Sequence, residues 1–166
     1  MRIGSIGLGI MGEPMCCNVL KKHDDDVYVY DIRPERVQIL ERTGGIGCSS
    51  VAETARSADV IITVVSNSEQ ALEVYKEVAQ EADSTKICID MSTIDIDMSL
   101  FIYGMLREKG AQFLDAPIVK SQQSARFGDL GIYVGGDLDV YMQIKPVLQY
   151  MGKSILHMGK TAKVSL

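Results

Sequence analysis

The 166-residue sequence predicts an α/β fold of the doubly wound type: a mostly parallel sheet with helices on both faces. Three observations carry this. Short apolar runs alternate with helical periodicity from one end to the other. The connections between them are short. The first apolar run leads into a glycine turn, Gly7-Leu8-Gly9-Ile10-Met11-Gly12, that opens a helix. Alternation of this kind builds right-handed crossovers onto a parallel sheet.

Residues 2–6 read as a short buried strand. The helix behind the glycine turn covers residues 11–22. Met15, Val19 and Leu20 share a face there, Pro14 is tolerated in the first turn, and Lys21, Lys22 and His23 suit the C-terminal end. Asp24-Asp25-Asp26 is a solvated turn. Residues 27–31 form a β-branched and aromatic strand that ends in a carboxylate. Pro34 starts a helix to about residue 42, stopped by Gly44 and Gly45. Residues 46–48 give a short strand or an extended link, and Ser49 and Ser50 offer caps for a helix at 51–57.

Residues 59–65 are the clearest strand, apolar nearly throughout, as a strand covered on both faces requires. Ser66-Asn67-Ser68 is a polar turn and cap for a helix over 69–82. Residues 86–90 are a further buried strand, followed through Met91-Ser92-Thr93 by a helix to about residue 107 that Gly110 ends. Strand 112–115, a helical stretch at 121–127 and strand 131–135 come next. A helix at 138–150, interrupted or bent at Pro146, and a short strand at 154–157 complete the series.

A single domain with a proper core is expected at this length. The net charge of −5 argues against a general nucleic-acid binder and fits poorly with an anionic membrane surface. No apolar run reaches the length of a membrane span, and Gly4, Gly7 and Gly9 break up what would be a signal-peptide core, so a cytoplasmic location is expected. Cys16, Cys17, Cys48 and Cys88 match no zinc or C-x-x-C spacing and read as buried, reduced thiols. His23 and His157 invite no catalytic role, and no metal site is expected.

Gly7, Gly9 and Gly12 have the spacing G-x-G-x-x-G. Placed between a strand and a helix, it points to a dinucleotide: one glycine for the turn, one for close approach to the pyrophosphate, one for helix–strand packing. Leu8, Ile10 and Met11 belong to the same cradle. Asp31, nineteen positions after Gly12, ends the second strand, where a carboxylate accepts from the ribose hydroxyls of NAD and repels the 2′-phosphate of NADP. Ile32 and Arg33 continue that segment, and Arg33 keeps NADP open because an arginine pairs with a 2′-phosphate. Val65-Ser66-Asn67 and Thr93 follow strong strands and face either the cofactor or their own helices as caps.

With these segments placed, the chain resembles the β-hydroxyacid dehydrogenase family, which includes 3-hydroxyisobutyrate and tartronate semialdehyde reductases. Gly7-Leu8-Gly9-Ile10-Met11-Gly12 is similar to that family's G-L-G-x-M-G, and Asp90-Met91-Ser92-Thr93 to its D-x-S-T. Asp115-Ala116-Pro117, continuing through Ala125, Gly128, Leu130 and Gly135-Gly136-Asp137, is similar to its D-A-P-V-S-G-G…G-A…G-x-L…V-G-G-D block. The resemblance implies a Rossmann domain at 1–162 and, at 163–166, the start of an all-helical domain that closes the active site and forms much of a homo-oligomer. It implies NAD-dependent hydride transfer on a small 3-hydroxy acid or its carbonyl partner.

The family's substrate-binding S-G-G corresponds to Val119-Lys120-Ser121, where Ser121 offers a hydroxyl and Lys120 a charge for an anionic substrate. Its catalytic lysine, in a G-x-x-x-K spacing, corresponds to Lys163 after Gly159. Val119 has no hydroxyl and Lys120 and Ser121 stand where the family has glycines, so a non-catalytic dinucleotide-binding sensor or interaction module is the rival reading. An imine or other reductase on the same scaffold is a third. The isolated chain is expected to bind cofactor with little or no turnover.

Overall fold

The structure, a computed structural model, describes residues 1–119 and 121–161. The elements run β1 (Ile3–Ile6), α1 (Gly12–Lys22), β2 (Val27–Tyr30), α2 (Pro34–Glu41), β3 (Ile46–Gly47), α3 (Val51–Ser57), β4 (Val60–Thr63), α4 (Ser68–Glu81), β5 (Ile87–Asp90) and α5 (Ile96–Glu108). They continue through β6 (Gln112–Asp115), β7 (Ile118–Val119), α6 (Gln122–Phe127), β8 (Leu130–Gly135), α7 (Leu138–Gln149) and β9 (Gly152–Gly159).

All the strands join one sheet in the order β3-β2-β1-β4-β5-β6-β8-β7, with β9 also on β8. The chain leaves β1 for β2 and β3 on one side, then returns to place β4 on the other. Ile3 is level with Val27 and with Val60, so Ile6, Tyr30 and Thr63 end side by side. Strand order reverses at that point, and a crevice opens beyond the carboxyl ends of the strands.

Strand alternation divides the apolar residues between two cores, one on each face of the sheet. Val60 and Ile62 belong with Ile3, Leu8, Val19 and Ile89 in one. Ile61 belongs with Ile6, Tyr75, Cys88, Ile102 and Phe113 in the other. This double covering is why these strands read as unbroken apolar runs.

The strands from β1 to β6 are parallel, as expected, but β8 runs antiparallel to β6 and to β7, a strand absent from the sequence-based expectation. Residues 120–129, which link β7 to β8, fall short of the dozen or more that a parallel crossover needs. Parallel pairing resumes between β8 and β9, with α7 as the crossover. The last strand begins at Gly152 rather than 154. Pro146 lies inside a continuous α7 and does not interrupt it. Its missing N–H deprives only the carbonyl of Met142, an exposed residue. Cys16, Cys48 and Cys88 are buried free thiols, whereas Cys17 is only half-buried because it lines a cleft beside the glycine turn.

Candidate functional site

The glycine turn sits at the switch point. Gly7 has a left-handed φ of +96°, and a Cβ there would overlap the Val64 carbonyl. A Cβ on Gly12 would overlap the Gly7 carbonyl. Both glycines are therefore required by the protein's own backbone. Gly9 is different: the one atom near its Cβ position is a guanidinium nitrogen of Arg36, at 3.4 Å. Its backbone faces a cleft of about 580 Å³, lined also by Leu8, Ile10, Glu13, Arg36 and Gln122. Met11, the N-cap of α1, supplies no side-chain cap. The Glu13 N–H already donates to the Gly9 carbonyl and Pro14 has none to give, so what α1 offers an anion in the cleft is the positive end of its dipole.

Asp31 is buried, and its carboxylate is built into this turn. Its Oδ2 accepts from the Leu8 N–H at 2.8 Å and its Oδ1 from the Arg33 N–H at 2.9 Å. Arg36, on the first turn of α2, brings its guanidinium to 3.6 Å from Oδ2. The arginine that reaches the site is therefore Arg36. Arg33 contributes its backbone, and the Ile32 side chain is 85% exposed. The sequence signal for Arg36 was its place two residues after Pro34, in a helix whose start faces the end of β2.

A second cleft, of about 450 Å³, lies between the β4–α4 and β5–α5 loops and is lined by Ser66, Asn67, Ser68, Glu69, Thr93 and Asp95. Asn67 is an N-cap: its Oδ1 accepts from the Gln70 N–H at 2.9 Å. Ser66 and Thr93 are exposed. Val65 is held by its N–H, which donates to Ser92 Oγ at 2.8 Å. Beneath these loops lies a buried polar network in which Thr63 and Tyr75, which no sequence pattern signalled, join Asp90 and Ser92 of the Asp90-Met91-Ser92-Thr93 motif. Thr63 Oγ1 meets the Tyr75 hydroxyl at 2.6 Å and donates to Asp90 Oδ1 at 2.9 Å, and the Ser92 N–H reaches the same oxygen at 3.2 Å. Burial, opposed by the Ser92 and Thr63 hydrogen bonds, pushes the Asp90 carboxyl up to about 6.

Of the residues expected to meet substrate, Val119 ends β7 and is exposed, and Ser121 is the N-cap of α6, its Oγ accepting from the Ser124 N–H at 3.3 Å. The next residue, Gln122, reaches the first cleft. Lys120 and Lys163 lie outside the described residues. Both histidines have structural partners: His23 bonds Tyr150 and the Met1 carbonyl, and His157 bonds the Gly136 carbonyl. Among the described residues no cluster could hold a metal ion, and no helix is long and apolar enough to cross a membrane.

Two fingerprint glycines consumed by the backbone and a third left open at a switch-point crevice make this a dinucleotide-binding domain of the Rossmann class. Residues 2–159 match the family described as the NAD binding domain of 6-phosphogluconate dehydrogenase, and the chain belongs to that family. It is 35% identical over 160 residues to mitochondrial 3-hydroxyisobutyrate dehydrogenase of Mus musculus, covering 95% of this chain and 48% of the relative. It is 32% identical over 164 residues to 2-(hydroxymethyl)glutarate dehydrogenase of Eubacterium barkeri, covering 97% and 54%. Among solved structures, Mycobacterium tuberculosis 3-hydroxyisobutyrate dehydrogenase with L-serine superposes with a TM-score of 0.94 at 29% identity, covering 99% of this chain and 56% of that one. The chain thus spans about half the length of the relatives it matches.

Proposed function

We propose that this chain is the cofactor-binding part of an NAD-dependent oxidoreductase of the β-hydroxyacid dehydrogenase type. It would interconvert a small 3-hydroxy acid and its carbonyl partner. The observation that carries the reading is the open backbone at Gly9 beside the buried Asp31 carboxylate. The names of the relatives support the substrate class.

When bound, the nicotinamide cofactor accepts or delivers the hydride. In this reading the chain's own residues bind and orient. The backbone from Gly7 to Gly12, at the positive end of the α1 dipole, holds the pyrophosphate. Asp31, with Ile32 and Arg33, receives the adenosine ribose and favours NAD over NADP. Val65, Ser66, Asn67 and Thr93 flank the nicotinamide side. Lys120 and Ser121 meet the substrate carboxylate, and Lys163 donates a proton to, or polarises, the substrate oxygen.

The rest of the substrate crevice, and the contacts of a homo-oligomer, are assigned to chain of the kind that makes up the other half of the relatives. The four free thiols accord with a reducing compartment, and the cytoplasm is the one proposed. Val119, exposed and without a hydroxyl where the family has a serine, favours the second reading, a dinucleotide-binding module without turnover.

Two measurements test this. Calorimetric titration of the 166-residue chain with NADH should show saturable binding, and no binding would sink both readings. A panel of 3-hydroxy acids with NAD and the full-length gene product separates them: turnover of any member removes the non-catalytic reading, and none across the panel removes the hydroxy-acid dehydrogenase.

A further inference from the structure

Asparagine is a poor residue for a helix interior, because its side chain competes for backbone hydrogen bonds. Asn18 nevertheless lies in the middle of α1, and it is buried. A buried amide needs partners. Its Nδ2 donates to the Ala125 carbonyl at 2.8 Å and lies within reach of the Arg126 carbonyl at 3.2 Å and the Pro14 carbonyl at 3.1 Å. Ala125 and Arg126 belong to the last turn of α6, whose carbonyls have no partners within their own helix. At six residues, α6 is too short to be stable alone.

Gly128 closes α6 with a left-handed φ of +67° and fits between two side chains of α1. A Cβ there would come within 3.1 Å of Lys22 Nζ and 3.4 Å of Asn18 Oδ1. Lys22, one turn beyond Asn18, donates to the Tyr150 carbonyl at 2.8 Å. One face of α1 therefore holds the end of α6. The other residues of α6 that matter, Gln122 and Arg126, line the same cleft as Leu8 and Gly9.

We infer that Asn18 is a positioning residue that registers α6 on the cofactor helix, so that the substrate side of the crevice takes its position from the helix that carries the glycine turn. The inference rests on the dinucleotide reading of the glycine turn. It extends that reading by making the two sides of the crevice mechanically coupled through one buried amide.

Hydrogen exchange on the 166-residue chain, with and without saturating NADH, tests it. The Gly128 and Asp129 amides, bonded to carbonyls of Ala125 and Ser124, report on α6. In the wild type, NADH slows their exchange by about tenfold. In Asn18→Leu they exchange about tenfold faster and NADH no longer slows them, while amides of β1 and β4 are unchanged. NADH affinity stays within about threefold of wild type. Asn18→Ser serves if the leucine variant does not fold. NADH protection of α6 in the variant equal to that in the wild type overturns the inference, as does a wild-type α6 indifferent to bound NADH. Absence of NADH binding to the wild type, seen first in the titration, overturns the cofactor reading instead.

Discussion

The Leu8 N–H donates to Asp31 Oδ2 at 2.8 Å, so the carboxylate that ends β2 is part of the glycine turn and not a bystander beside it. An acceptor held by a backbone amide keeps its orientation without cost at the moment of binding.

That bond makes Asp31 matter twice. Asp31→Ala should leave the Leu8 N–H unsatisfied and cost about 1–3 kcal/mol of stability. It should also weaken NADH binding by at least about tenfold, as lost ribose hydrogen bonds imply. Urea unfolding and calorimetry measure the two effects separately. Full NADH affinity in a folded Asp31→Ala chain would remove the ribose assignment.

The three fingerprint glycines should respond differently to a side chain. A Cβ at Gly9 meets only the mobile end of Arg36, so Gly9→Val should keep the fold, with a stability change of about 0.5 kcal/mol. The valine fills the phosphate approach, and NADH affinity should fall by at least about tenfold. Gly12→Ala meets the Gly7 carbonyl and should destabilise the whole domain by about 2 kcal/mol or more. Equal stability losses in the two variants would contradict the division of roles.

Arg36 shares Oδ2 of Asp31 and is about one-third exposed in the cleft. It offsets part of the charge that repels a 2′-phosphate. Arg36→Ala should therefore lower NADPH affinity by more than about threefold relative to NADH. Titrations with both cofactors give the ratio, and an unchanged ratio would return the selectivity to Asp31 alone.

Asp90 predicts a pH dependence of stability. Burial raises its carboxyl from 3.8 to about 6 in the folded chain. The folded state thus binds the proton more tightly than the unfolded one. The stability this contributes is complete below pH 3.8 and is lost as pH rises through about 6. The full swing is about 3 kcal/mol. Asp90→Asn removes it, so the stability difference between variant and wild type should move in the variant's favour by that order between pH 4 and pH 7. Parallel stability–pH curves for the two proteins would refute the assignment.

Much of the fold was legible because its signals are local. The helix Val51–Ser57 appears at the residues expected, and the Ser50 side chain caps it by accepting from Glu53. The strand before the glycine turn, the carboxylate ending β2 and the apolar β4 were also local patterns. The short β7 and the antiparallel β8 were not, because their direction depends on how far residues 120–129 reach. Asn67 was open between cap and cofactor contact, and only the position of the Gln70 N–H showed the cap.

The sequence by itself determined the class of fold, the place of the glycine turn and the identity of Asp31, since spacing and periodicity act within a few residues along the chain. Tertiary structure alone decided that the Arg36 guanidinium pairs with Asp31 while Arg33 gives it a backbone N–H, that Asp90 is buried in a shared network, and that Asn18 holds α6. Each of these joins groups on different elements: Asn18 meets Ala125 at a separation of 107 residues. No local pattern encodes such a meeting, because it exists only once the sheet has brought the helices together.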